Sequence, residues 1–367
     1  MSDILELRID SPSVRLYPVA PSTISDDILA AAAMTPGPNS PSTPSICLLR
    51  RPVDDFVRYS REEASKWLID IAHDICDPAE HRGSLLVWKE QQQQQPEQWR
   101  PVATTDPLTA SIYRYDLPDG ITVGLSKISQ RARKSASAPI ENARAMADRV
   151  KERDEHCWVT AMYDPLANSH ICPKRMGDHV ARIIFRTFTS LPLPSNLSIY
   201  DEVFGLSLSL TLNTWFDEYE MGLRFVSPPN NYECHMFANK LANAKYTIFG
   251  AFSRPPRAGL ESLPALHGHR ASPPHPQLTN LPPPGLLRWH YLQCVLKKFA
   301  HDDYKNLENI YFPELPLRMK GDSDDEGTDS ELEWPSKGLD LGRVVENDLE
   351  EREERHQAVE SWISKTI

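Results

Sequence analysis

The chain has 367 residues, 40% hydrophobic and 25% charged, which is enough apolar material for two modest domains or for one domain with long appendages. A formal net charge of -11 excludes a generally basic nucleic-acid coat protein. The charge is unevenly spread: Arg131 to Arg153 holds seven bases and three acids, and Gly321 to Glu333 holds seven acids and no base.

The 32 prolines against 15 glycines point to stiff connectors. Six cysteines, at 47, 76, 157, 172, 234 and 294, include no CxxC pair. The opening MSDILELRIDSPS has no basic start followed by an apolar run, so reduced thiols and an intracellular location, cytoplasmic or nuclear, are expected. No stretch approaches the roughly 18 apolar residues of a membrane helix, so no membrane partner is expected.

In chain order, weak alternation over Ile4 to Val19 predicts a strand pair, and the Pro/Ser-rich residues 34 to 45 a loop. Arg61 to Cys76 carries apolar residues at helical spacing, with Ser60 as its N-cap. Residues 84 to 90 read as a strand, the glutamine run 91 to 95 as a surface loop, and 109 to 128 as two strands joined by the PDG turn at 118–120. Ala138 to Arg153 reads as a helix with a solvated basic face. Next, Cys157 to Cys172 reads as a hairpin about Tyr163-Asp164-Pro165, Val180 to Phe188 as a helix, and Ile199 to Phe216 as helical in its second half. GLRFV and ECHMF read as strands. Residues 253 to 285, with nine prolines, read as an irregular loop, and Leu286 to Phe299 as an amphipathic helix. The chain after Gly321 reads as a disordered acidic tail, with a charged helix over Val345 to Ile363.

Four ordered blocks carry the chemistry: Cys157-x-Val159-Thr160, then Ser169-His170-Ile171-Cys172-Pro173, then Asp201-x-x-Phe204-Gly205-Leu206-x-Leu208, then Leu212-Asn213-x-x-Phe216-Asp217. This order resembles the fungal branch of the HNH endonuclease family, whose pattern is similar to C-x-V-T, A-H-I-x-P, N-G-x-x-L and L-H-x-x-F-D. The resemblance covers Cys157 to about Phe237 and extends weakly to LLRWHYLQCVL. It implies a ββα-metal core within a domain at 136–240; the chain as a whole reads as α+β, with a mixed α/β region at 1–135 that carries no such resemblance. A Pro-rich loop and packing helix at 241–320 and the acidic tail at 321–367 would follow.

The resemblance also implies a function, metal-dependent cleavage of DNA. His170 falls at the general base, a role suited to an imidazole that titrates near neutrality. Asn213 falls at the position of the helix histidine that, with His170, would face a divalent metal. An amide oxygen suits Mg2+ or Mn2+ better than zinc. Phe204 falls at the middle asparagine, and a phenyl ring cannot make the hydrogen bonds that orient the loop. Asp164, Asn168, Asp178, His179 and Asp201 are the nearby polar groups able to compensate.

Lys174 and Arg175, directly after the His170 block, and the basic run before it are candidates for phosphate contact. Trp289, His290 and Tyr291 are candidates for base stacking. Cys157 and Cys172 with His170, and the pair Cys234-His235, invite a zinc reading but lack finger spacing. The substitutions at 204 and 213 and the net acidity support an alternative: a catalytically degenerate HNH-fold protein that binds or scaffolds.

Overall fold

A computed structural model of the chain describes residues 3–14, 45–60, 64–89, 98–128, 140–163, 165–237 and 267–307. All of these lie within Met1–Pro316. The expected Pro/Ser loop, apart from Ser45, the glutamine run, the acidic tail and its terminal helix fall outside the described residues. The described part mixes sheets and helices, compatible with the α+β class.

The N-terminal half is a five-stranded sheet in the order β2-β1-β5-β3-β4. Its strands are β1 (Ile4–Asp10), β2 (Ser45–Pro52), β3 (Ser84–Lys89), β4 (Gln98–Pro101) and β5 (Ile112–Asp116). In β1 the alternation buries Leu5, Leu7 and Ile9 and turns Glu6 and Arg8 to the other face, the period of a half-covered strand. β1 pairs with β2 and β5; the second strand expected before Val19 falls largely on residues 15–19, outside the described residues. Helices α1 (Val53–Ser60) and α2 (Ala64–Cys76) follow β2. α1 was not expected: it buries only Phe56, Tyr59 and Ser60, too short a stripe to announce itself. Ser60 ends α1, its hydroxyl donating to the Val57 carbonyl; the expected capping of the next helix falls on residues 61–63, outside the described residues.

Of the two strands expected in 109–128, only β5 forms. The second segment makes a single bridge, Val123 with Val14. Its other backbone groups are taken elsewhere: Ser126 N donates to the Ile75 carbonyl and Tyr304 Oη to the Ser126 carbonyl.

The second half starts with α3 (Ile140–Asp154), then β6 (Leu166–His170), α4 (Gly177–Thr189), β7 (Gly205–Ser209), α5 (Leu210–Asp217), β8 (Met221–Ser227) and β9 (Asn231–Met236). β10 (His269–Ala271), inside the stretch expected to be irregular, pairs with β9. The chain continues through α6 (Pro284–Phe299) and α7 (Asp302–Lys305).

The hairpin expected about Tyr163-Asp164-Pro165 is replaced by a longer-range pairing. Residues 157–160 coil into a turn, with Ala161 N on the Cys157 carbonyl and Cys157 N on the Met162 carbonyl. β6 pairs antiparallel with β7 instead, and α4 lies in the connection. A buried GLSLS strand, with every residue covered, satisfies the backbone of β6 better than the turn-forming CWVT can.

α6 is buried on almost every side. Twelve of its residues are covered, among them Trp289, His290, Tyr291 and Cys294. A helix covered all round belongs to an interior, and here it is wedged between the two halves. One continuous core includes side chains from β1, α2, α4, β8 and α6. Among the described residues, no helix is long and apolar enough to cross a membrane.

Candidate functional site

The site expected from the four blocks is built on β6, β7 and α5. Pairing sets Leu166 opposite Ser209, Asn168 opposite Ser207 and His170 opposite Gly205, and residues directly opposed share a face. That face looks onto α3. A Cβ on Gly205 would lie 2.5 Å from Asn168 Oδ1, 2.8 Å from Met146 Cε and 3.0 Å from Val150 Cγ2. The intervening Ser169 points the other way, and its hydroxyl donates to Asn213 Oδ1 at 2.8 Å. Asn213 is thus joined to Ser169, while the register gives His170 to the α3 face, where it is 7% exposed. Ser169 was missed by the sequence reading. Period-two alternation about His170 was the signal that would have found it.

Phe204 has no exposed surface, and its ring meets Phe185 of α4 edge-on at 6.4 Å. Its carbonyl, not its side chain, orders the loop after His170 by accepting from Ile171 N at 2.9 Å. The polar groups near it have structural work. Asp178 Oδ1 accepts from Ile199 N and Ser198 Oγ, and Asp201 Oδ2 from Ser198 N. These contacts fold the 198–201 turn. His179 is exposed, and Asp164 lies outside the described residues. Asn168 Oδ1 and Nδ2 are buried with no hydrogen-bond partner among the described residues.

The basic run divides. Arg131, Arg133 and Lys134 lie outside the described residues. Arg153, read as solvated, is buried. It forms an ion pair with Asp154 at 2.7 Å and donates to the carbonyls of Glu202, Asn280 and Gly205. Asp154 in turn accepts from Ser207 N at 2.7 Å. Desolvating a guanidinium is tolerable only when its donors are this fully used. Arg149 pairs with Glu202 at 3.1 Å. Lys174 and Arg175 form a short 3-10 turn after Pro173 and stay partly exposed.

Trp289, His290 and Tyr291 are core residues, not a stacking surface. They are exposed by 2%, 0% and 4%, and the His290 ring stacks on Phe216 at 3.5 Å. The six cysteines are all buried. Cys157 Sγ accepts from Thr160 N, and burial pushes the Cys234 thiol above its ordinary range. His235 sits at the end of a buried chain. Trp67 Nε1 donates to Tyr291 Oη at 2.8 Å, and Tyr291 Oη is hydrogen-bonded to His235 Nδ1 at 2.7 Å. Its other ring nitrogen, Nε2, lies 3.6 Å from Glu233 Oε1. Burial holds this imidazole down to about 4.

For a metal, the donor set around Asn213 is poor. It offers one neutral amide oxygen already accepting a hydroxyl proton, and a serine. Hard cations want carboxylates, and transition metals want imidazoles or thiolates, so the residues present do not fit a tightly held ion there. Among the described residues no group of three or more His, Cys, Asp or Glu is arranged to hold one. No family model, no curated protein and no solved structure matches the chain.

Proposed function

We propose that the segment from Cys157 to Phe237 is an HNH-type ββα module kept as a binding scaffold, with DNA as the partner and Lys174 and Arg175 as its phosphate contacts. The observation that carries this reading is the Ser169–Asn213 hydrogen bond. The helix position expected to present a metal ligand instead spends its oxygen on joining α5 to β6. Phe204 supports the same conclusion, because the position expected to orient a catalytic loop has become core.

The second reading is a metal-dependent endonuclease with His170 as general base. It is favoured by the topology: two antiparallel strands run directly into a helix, with His170 ending the first strand. One experiment separates the two. Supercoiled plasmid is incubated with the full chain and Mg2+ or Mn2+, beside His170→Ala, and binding to labelled duplex is followed across a salt series. The scaffold reading expects no nicking, and binding that weakens in Lys174→Glu/Arg175→Glu with a salt slope lower by about two. Nicking that vanishes in His170→Ala establishes the nuclease. Absence of both nicking and binding overturns the two readings together.

A further inference from the structure

Among the described residues the three sheets have six edges, and five of them are protected. At β2, the Leu48 carbonyl accepts from His301 N and Leu49 bridges to Ala300. β4 is four residues long, carries an exposed Arg100 and ends at Pro101. β8 has a bulge between Phe225 and Ser227, and its Met221 carbonyl accepts from Cys294 Sγ. β10 is three residues long with an exposed Arg270. On β7, Ser207 N donates to Asp154, the Ser207 carbonyl accepts from Trp158 N, and the Gly205 carbonyl accepts from Arg153. Covers, short lengths, charges, prolines and bulges are the usual protections of a strand edge.

The edge of β6 is different. Its sequence, LANSH, holds no acid, lysine, arginine or proline, and its register with β7 is unbroken. The direction of its outer groups follows from β7. Both backbone groups of Ser207 are used away from β6, so Asn168 and Ser207 form a wide pair, and Asn168 turns its own N–H and C=O outward. Leu166, two residues back and opposite Ser209, does the same. Among the described residues nothing bonds to these four groups. α3 covers one face of the β6–β7 pair and α5 the other, which leaves the edge as the open side. Asn168 is partly exposed although its amide oxygen and nitrogen are both buried, so the surface it keeps belongs to its backbone and carbon atoms.

We propose that β6 is a docking edge for an extended peptide segment of a partner protein, which adds beside it as a third strand. Hydrogen-bond complementarity defines the occupant. It must offer a C=O and an N–H at every second residue, about 7 Å apart, which is what a peptide backbone in strand conformation supplies. A phosphodiester backbone offers acceptors but no donors for the two carbonyls. The groups used are backbone groups of Leu166 and Asn168, distinct from the side chains of Lys174 and Arg175, and peptide binding there does not depend on DNA.

The test selects a library of random short peptides displayed on phage against the full chain. The enriched peptide is then synthesised with a fluorescent label and titrated by anisotropy. Saturable binding with one peptide per chain is expected. Leu166→Pro removes one outward N–H and no bond of the β6–β7 ladder. It is expected to weaken the peptide by about fivefold or more, the scale of one backbone hydrogen bond. Circular dichroism verifies that the variant is folded. N-methylated copies of the peptide give a second readout that needs no variant. Methyl groups on alternate amides are expected to abolish binding in one phase and spare it in the other, because only every second N–H faces β6. Failure to enrich any peptide, equal affinity for folded Leu166→Pro, or indifference to the phase of methylation overturns the proposal. So does dimerisation of the chain, read by sedimentation, that Leu166→Pro abolishes, because the edge then belongs to a second copy.

Discussion

Side chains of the same type have been given different work by their surroundings. His170 ends an edge of a two-stranded pair, His290 is stacked into the core, and His235 closes a buried chain of hydrogen bonds. His235 has a measurable consequence. Its folded value of about 4 lies below the ordinary 6.5, so between those values the unfolded chain takes up a proton that the folded chain refuses. Stability is then complete above about pH 6.5 and falls as the pH drops towards 4. At 1.36 kcal/mol per unit the loss is about 3 kcal/mol. His73, also held down to about 4, by burial first and then by His81, acts in the same direction. Urea denaturation at a series of pH values is expected to show this decline. His235→Gln, although less stable at pH 7, is expected to have a flatter profile, and an unchanged profile refutes the assignment.

At the scale of elements, the decisive contact is between α3 and β7. The helix was legible over Ile140–Asp154, because its periodicity is local. Its role was not, since Arg153 looks like any other base in a basic run. In the folded chain Arg153 and Asp154 bind the carbonyls and an amide of the strand region, and so hold β7 against α3. Arg153→Leu leaves Asp154 buried without its partner. It is expected to cost about 3–5 kcal/mol, read as a lower denaturation midpoint. A loss below about 1 kcal/mol would mean that the pair is idle. The failed hairpin belongs at the same scale. Turn signals at Tyr163-Asp164-Pro165 are local, whereas the competing partner of β6 lies beyond α4, and its advantage appears only once both strands are covered.

For the whole molecule, α6 sets the degree of cooperation. It packs Tyr291 against Trp67 of α2 on one side and His235 of β9 on the other, within one continuous core. Residues 1–316 are expected to unfold in a single transition by calorimetry, and a fragment of 136–240 is expected to give no cooperative melt. Two separable transitions would show instead that the halves fold independently. The sequence by itself determined most helices and strands, because periodicity and turn chemistry act over a few residues. It also singled out His170, Phe204 and Asn213 as positions to examine. Only the tertiary structure decided which strand β6 pairs with, that Asn213 answers Ser169, that Arg153 is interior, and that the helix carrying Trp289 is surrounded. Each of these depends on groups dozens of residues apart meeting out of water, where burial and pairing settle a side chain's role and local pattern does not.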